Sequence, residues 1–129
     1  MPITKEMIAR NSDCSAIVGL INQGSLYSTG HLSIYQSDGS RITWNALSIP
    51  AFGTSVDGTS TAYPISDATN VLGYDTTANN FSFDNRDGTA IWRGDVSLNG
   101  YGGSLQLESL IVPKDSTIGI TSALYIVRA

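Results

Sequence analysis

Histidine occurs once in this chain, cysteine once, and Asp, Glu, Lys and Arg together make up only 14% of its 129 residues. With His31 alone, no multi-histidine metal site can form within one chain. With Cys14 alone, no internal disulfide can form, which fits folding in a reducing compartment. Seven basic residues are scattered from Lys5 to Arg128 against eleven acidic ones, for a net charge of −4. Phosphate binders concentrate Lys and Arg on one face, so no nucleic-acid partner is expected. No apolar run approaches the ~20 residues needed to cross a bilayer, and the start, Met1-Pro2-Ile3-Thr4-Lys5-Glu6, lacks the apolar stretch of a signal peptide. No membrane partner is expected, and the chain should stay soluble where it is made unless a larger assembly carries it out.

The polar remainder is Ser, Thr, Asn and Gly rather than the Glu, Lys and Arg that coat helices, which points to a mainly β domain with many turns. At this length one domain can bury roughly two-thirds of its unfolded surface. One segment has helical spacing: Cys14, Ile17, Val18 and Ile21 mark a single face, predicting a short helix at about 12–23. Asn11 or Ser12 can cap its start and Gly24 can close its end. Apolar neighbours around Cys14 favour a buried structural thiol over a reactive one. Residues 1–10 form a terminal arm in which Ile3, Met7 and Ile8 have few local partners, marking them as partner-contact residues.

From His31 onward the pattern turns to period two and short apolar runs. Strands are predicted at 31–36, 41–49, 59–65, 79–84, 89–98, 104–112 and 117–127. Asp38-Gly39, Asp57-Gly58, Asp87-Gly88 and Asn99-Gly100 accept positive φ and favour tight reversals between them. In the last strand Ile118, Ile120, Leu124 and Ile126 share a buried face, and Thr117, Thr121 and Tyr125 share the opposite one. Tyr125 is therefore a further contact residue. Short strands without interleaved helices favour an antiparallel β-sandwich or jelly roll over residues 11–129.

No residue set carries a catalytic signature. His31 opens a strand, and neither Ser33 nor Cys14 sits in a nucleophile motif. Asp84-Asn85-Arg86-Asp87-Gly88 places Arg86 where a calcium loop needs an oxygen ligand, so a hairpin turn is the better reading. Gly100-Tyr101-Gly102-Gly103 is followed by neither a helix nor a lysine motif, which argues against a phosphate cradle. Trp44, Trp92, Tyr63, Tyr74, Tyr101, Phe81 and Phe83 suit a core or an interface, with sugar stacking as the alternative. Neither a cofactor nor a metal is expected, and no enzyme.

Several segments in order resemble a widespread family of small proteins in tailed-phage genomes. These are Ala9-Arg10-Asn11, Ala16-Ile17-Val18-Gly19-Leu20-Ile21-Asn22-Gln23-Gly24-Ser25, Gly30-His31-Leu32-Ser33-Ile34-Tyr35, Pro50-Ala51-Phe52-Gly53 and Gly58-Thr59-Ser60-Thr61-Ala62. Asp87-Gly88-Thr89-Ala90-Ile91-Trp92-Arg93-Gly94-Asp95-Val96-Ser97 and Ile118-Gly119-Ile120-Thr121-Ser122 continue the likeness, which covers about residues 9 to 129. The resemblance implies a virion component made in the host cytoplasm, a capsid cement or decoration protein on the head surface. Its partners would be the major capsid protein and its own copies, as a dimer or trimer. The family supplies no catalytic residues. The loop Gln36-Ser37-Asp38-Gly39-Ser40 is shorter than in many relatives, which weakens a loop-borne receptor role. Alternatives are a tail, neck or fibre-associated subunit, and a carbohydrate-binding adhesion module.

Overall fold

The computed structural model describes residues 7–55, 59–98, 105–118, 120 and 122–126; of residues 7–10, 13 and 122–126 it describes the backbone. The chain is mainly β with one short helix. Helix α1 spans Met7–Gly19 and tightens into a 3-10 turn at Leu20–Asn22. Eleven strands follow among the described residues: β1 (His31–Tyr35), β2 (Arg41–Ala46), β3 (Thr59–Thr61), β4 (Ala68–Thr69), β5 (Thr76–Thr77) and β6 (Asn80–Asp84), then β7 (Ala90–Leu98), β8 (Leu105–Leu107), β9 (Ile111–Val112), β10 (Thr117–Ile118) and β11 (Ser122–Ile126). Seven of them make one sheet in the order β2-β1-β6-β7-β8-β11-β3, antiparallel except for the β7/β8 pair. β10 pairs with β4 and β5 with β9 in two small ladders.

The helix starts earlier than its expected cap. Asn11 and Ser12 lie inside α1, because no Gly or Pro interrupts the stretch from Met7 and Ser12 faces solvent there without hindering the helix. Gly24 ends this region with φ 120°, as a residue without Cβ permits. Cys14, Val18 and Ile21 are buried, as the spacing predicted, and pack into the same core as Leu32 and Ile34 of β1 and Phe81 and Phe83 of β6. Cys14 is fully enclosed, which agrees with a structural thiol.

Four expected strands form nearly in full, as β1, β2, β6 and β7, and the turns Asp38-Gly39 and Asp87-Gly88 join them with φ of 89° and 82° at the glycines. Asp57-Gly58 and Asn99-Gly100 lie outside the described residues. Two long strands do not form. The stretch 104–112 divides into β8 and β9, since Ser109 Oγ accepts from Ile111 N–H (3.2 Å) and donates to Ile111 C=O (3.1 Å), replacing ladder bonds with a local loop. The stretch 117–127 divides into β10, committed to Ala68 and Thr69, and β11, committed to β8 and β3. Alternation of apolar residues reports which face is buried, not whether one hydrogen-bonded ladder continues.

Alternation does divide the seven-stranded sheet correctly in its best part. Leu32, Ile34, Phe81 and Phe83 point into the apolar core, while His31, Ser33 and Tyr35 pair across β1/β6 with Asp84, Ser82 and Asn80 on the opposite, outer face, which is polar but also covered, with His31, Ser33, Ser82 and Asp84 buried. No helix among the described residues is long and apolar enough to cross a membrane.

Candidate functional site

The outer face is where polar and aromatic chemistry converges. Residues 24–30 leave the helix and run as a strap to the start of β1, held down by the β6/β7 hairpin turn. Arg86 N–H donates to Gln23 C=O (2.8 Å) and Tyr27 N–H donates to Arg86 C=O (2.8 Å). The Asp87 carboxylate accepts from Ser25 N–H (2.9 Å) and Leu26 N–H (3.2 Å), and Arg86 Nε donates to Tyr27 C=O (2.9 Å). Both ends of the strap approach neighbouring backbone too closely for a side chain. A Cβ on Gly24 would lie 2.8 Å from Asp87 N, and one on Gly30 would lie 2.7 Å from Asp84 O.

Tyr27 hangs from the middle of this strap. Its ring meets Trp44 edge-on at 4.9 Å and His31 edge-on at 5.5 Å, while His31 and Trp44 stack at 3.7 Å with planes 13° apart. The Arg41 guanidinium lies 4.8 Å from the Trp44 ring centre. These four residues come from the strap, β1 and β2, and β-sheet register brings them together: His31 opposes Ala46 and Ser33 opposes Trp44. Among the described residues, His31 Nδ1 and Trp44 Nε1 are both buried and without a hydrogen-bond partner. Burial pushes the His31 imidazole below its usual value, with the Asp84 carboxylate opposing that shift and Arg41 adding to it. The Asp87 carboxyl is held below the usual carboxylate range, first by the Ser25 and then by the Leu26 amide.

Beside the stack runs a polar relay. Tyr35 hydroxyl contacts Ser82 Oγ (2.9 Å), Ser82 Oγ donates to one oxygen of Asp84 (2.7 Å), and Ser33 Oγ donates to the other (2.6 Å). Ser33, Ser82 and Asp84 are buried, and Arg93 sits 5.7 Å from the Tyr35 ring centre. Ser, Asp and His thus lie close together, but the serine proton points to the carboxylate and the imidazole is engaged by an indole. A nucleophilic relay needs the hydroxyl bonded to the imidazole and the imidazole to the carboxylate. The arrangement here instead satisfies a buried carboxylate and stacks a histidine.

Of the residues singled out from sequence, Ile3 lies outside the described residues, Met7 and Ile8 form the first turn of α1, and Tyr125 sits in β11 opposite Ser60, with its side chain outside the described residues. α1 runs beside β3 and β11, so the helix carrying Met7 and Ile8 neighbours the strand carrying Tyr125. Asp84-Asn85-Arg86-Asp87-Gly88 forms a hairpin turn, with Asn85 Oδ1 accepting from the Asp87 (2.9 Å) and Thr89 (3.0 Å) amides. Among the described residues no three His, Cys, Asp or Glu side chains gather as metal ligands would. Sequence reading found His31 and Trp44 singly but not their stack. The signal lay in the strand alternation of His31 and Ser33 against Trp44, and nothing local announced Tyr27 or Arg41.

Two open grooves lie elsewhere. One, of about 260 Å³, is lined by Val18, Asn22, Pro50, Phe52 and Tyr63 between the end of α1 and the loop before β3. The other, also about 260 Å³, is lined by Leu107, Ile111, Pro113 and Ile118. In comparisons with known proteins, no family model, no curated protein and no solved structure matches this chain.

Proposed function

We propose that this chain is a non-enzymatic structural subunit of a tailed-phage virion, a capsid cement or decoration protein that binds as a homo-oligomer across major capsid protein subunits. In this reading the β sheet and its short ladders close as a sandwich or jelly roll whose surface does the work. The observation that carries it is the distribution of apolar side chains on the outside of a sparsely charged body. Leu26, Ile49, Val71 and Ile111 are 67%, 62%, 72% and 64% exposed, each on a different stretch of the chain. Large apolar groups left in water mark contact surfaces where they gather into patches, and a protein that binds several neighbours at once would cover them there.

The phage assignment comes from the resemblance described above, whose segments fall on α1 and both ends of the strap, β1, the loop before β3, β3, β7 and the stretch from β10 to the start of β11. These build the framework rather than a reaction centre, as expected where relatives share a fold and a place in a particle. Capsids purified with and without the protein test the reading. Stoichiometric density on the head, with capsids that resist heat or chelator better when it is present, is the expected result. Its absence from purified particles, or its location on the tail, would overturn cement function.

A carbohydrate-binding module is the second reading, favoured by one observation. Tyr63 is 45% exposed at the groove beside Phe52 and Asn22, an open ring next to hydrogen-bonding groups. Glycan-array binding that disappears in Tyr63→Ala would select it.

A further inference from the structure

We propose that His31 is a proton-operated latch: while neutral, its imidazole clamps Tyr27 and the strap of residues 24–30 against Trp44, and on protonation the strap lifts from the outer face of the sheet.

The geometry supplies both halves of such a device. The closed form is a three-ring cluster in which Tyr27 is the only member carried by the strap, and it meets both of the other rings edge-on. Edge-on ring pairs of this kind stabilise beyond the area they bury, so both of them favour the closed strap. The strap has few other ties to β1 and β2, for its backbone bonds go to Arg86 and Asp87 of the hairpin turn. Leu26, at its crest, is mostly in water.

Protonation would strain this arrangement from three sides. An imidazolium carries a proton on both nitrogens, yet among the described residues His31 Nδ1 is buried with no acceptor, so protonation would leave a buried N–H unpaired. On the β2 side, Trp44 already faces the Arg41 guanidinium, and a second cation on that indole meets the first one's charge instead of an unoccupied ring. On the β6 side, the Asp84 carboxylate, whose oxygens each accept a serine hydroxyl, opposes this strain, but burial outweighs it. On the strap side Tyr27 offers a ring edge. Lifting the strap lets water reach both orphaned nitrogens, His31 Nδ1 and Trp44 Nε1, and removes the penalty.

The sign follows from burial. The closed form holds His31 below its ordinary value of about 6.5, so closure is complete above that pH and weakens as pH falls from there toward the closed-form value. Asp87 ties the same strap, but its carboxyl titrates below the usual carboxylate range, so the two ties fail in separate pH windows.

Amide exchange on the full-length protein, read at Tyr27 N–H between about pH 7.5 and about pH 5 and corrected for intrinsic exchange, tests the latch. Protection should fall with acid by up to about tenfold per pH unit, in step with the His31 ring titration followed by NMR. Amides of β6 should keep their protection. In His31→Phe, which keeps a ring but cannot titrate, Tyr27 protection should not change with pH in this range. Arg41→Gln should make the fall shallower. Equal Tyr27 protection at both ends of the range would overturn the proposal, as would the same fall in His31→Phe. Should His31→Phe fold poorly, the wild-type ring decides: a titration at or above about 6.5 in the folded protein would overturn the latch.

Discussion

The Asn70 amide reaches the Val112 carbonyl at 3.1 Å, joining parts of the chain 42 residues apart. The same buried side chain also donates to Tyr74 C=O, Thr76 Oγ1 and Pro113 C=O at 3.0 to 3.3 Å and accepts from Leu72 N–H at 2.8 Å. It serves as the hydrogen-bonding centre for β4, β5 and β9, strands of two residues each that could not hold themselves together.

Asn70→Ala should therefore destabilise the protein by about 1–3 kcal/mol, since the Leu72 amide and the Tyr74 carbonyl lose this partner at once, while the Val112 and Pro113 carbonyls keep only the Thr76 hydroxyl and the Ser116 amide. Urea denaturation followed by circular dichroism measures it. A change within ~0.5 kcal/mol would mean that water replaces the amide without loss.

Gly30→Ala should be costly for a steric reason. The new methyl would lie 2.6 Å from Ile21 Cγ2 and 2.7 Å from Asp84 O, inside a packed junction of helix, strap and β6. Overpacking of this kind costs about 1–3 kcal/mol. Thermal melts of Gly30→Ala beside Gly39→Ala separate the two contributions, because a Cβ at Gly39 meets nothing within 4 Å and only its φ of 89° opposes the change.

Most of β1 could be read in advance because His31-Leu32-Ser33-Ile34-Tyr35 alternates cleanly and both of its neighbours are long strands. The Asp87-Gly88 turn was equally plain, since its glycine must take positive φ. The start of α1 was not legible, for Asn11 and Ser12 are good caps and acceptable helix residues alike. β4 and β5 could not be read at all. Two-residue ladders have no periodicity, and theirs depends on Asn70, whose partners lie up to 43 residues away. The ring cluster shares that difficulty: Tyr27, His31, Arg41 and Trp44 meet only once strand register is known.

Asp87 should make the strap acid-sensitive well below neutrality. Its folded value is depressed, so its contribution is present above the ordinary carboxyl value of about 3.8 and is lost as pH falls through the folded one. Asp87→Asn should remove this low-pH step while leaving the behaviour between about pH 7.5 and pH 5 unchanged. Exchange rates at the Ser25 and Leu26 amides report it, and an unaltered acid step in the variant would assign that step elsewhere.

Removing residues 1–6, which include Ile3, should leave the far-UV circular dichroism of the β sheet intact, because none of its strands draws on them. It should weaken capsid binding or oligomerisation. Tyr125→Ser should likewise keep the fold while letting capsids release the protein at lower heat, an effect above ~1 kcal/mol if the ring is a contact anchor. Retention identical to wild type in both would remove these residues from the interface.

The position of β11 between β8 and β3 has a consequence for synthesis. Residues 59–61 and 105–107 wait for partners that come later in the chain, in Ser122–Ile126. Until then a nascent chain presents two bare strand edges, the kind that recruit neighbouring chains into aggregates. Premature termination just before Ser122 would thus yield a sticky polypeptide rather than a shortened subunit, and translation that stalls there would be more hazardous than a pause at β1.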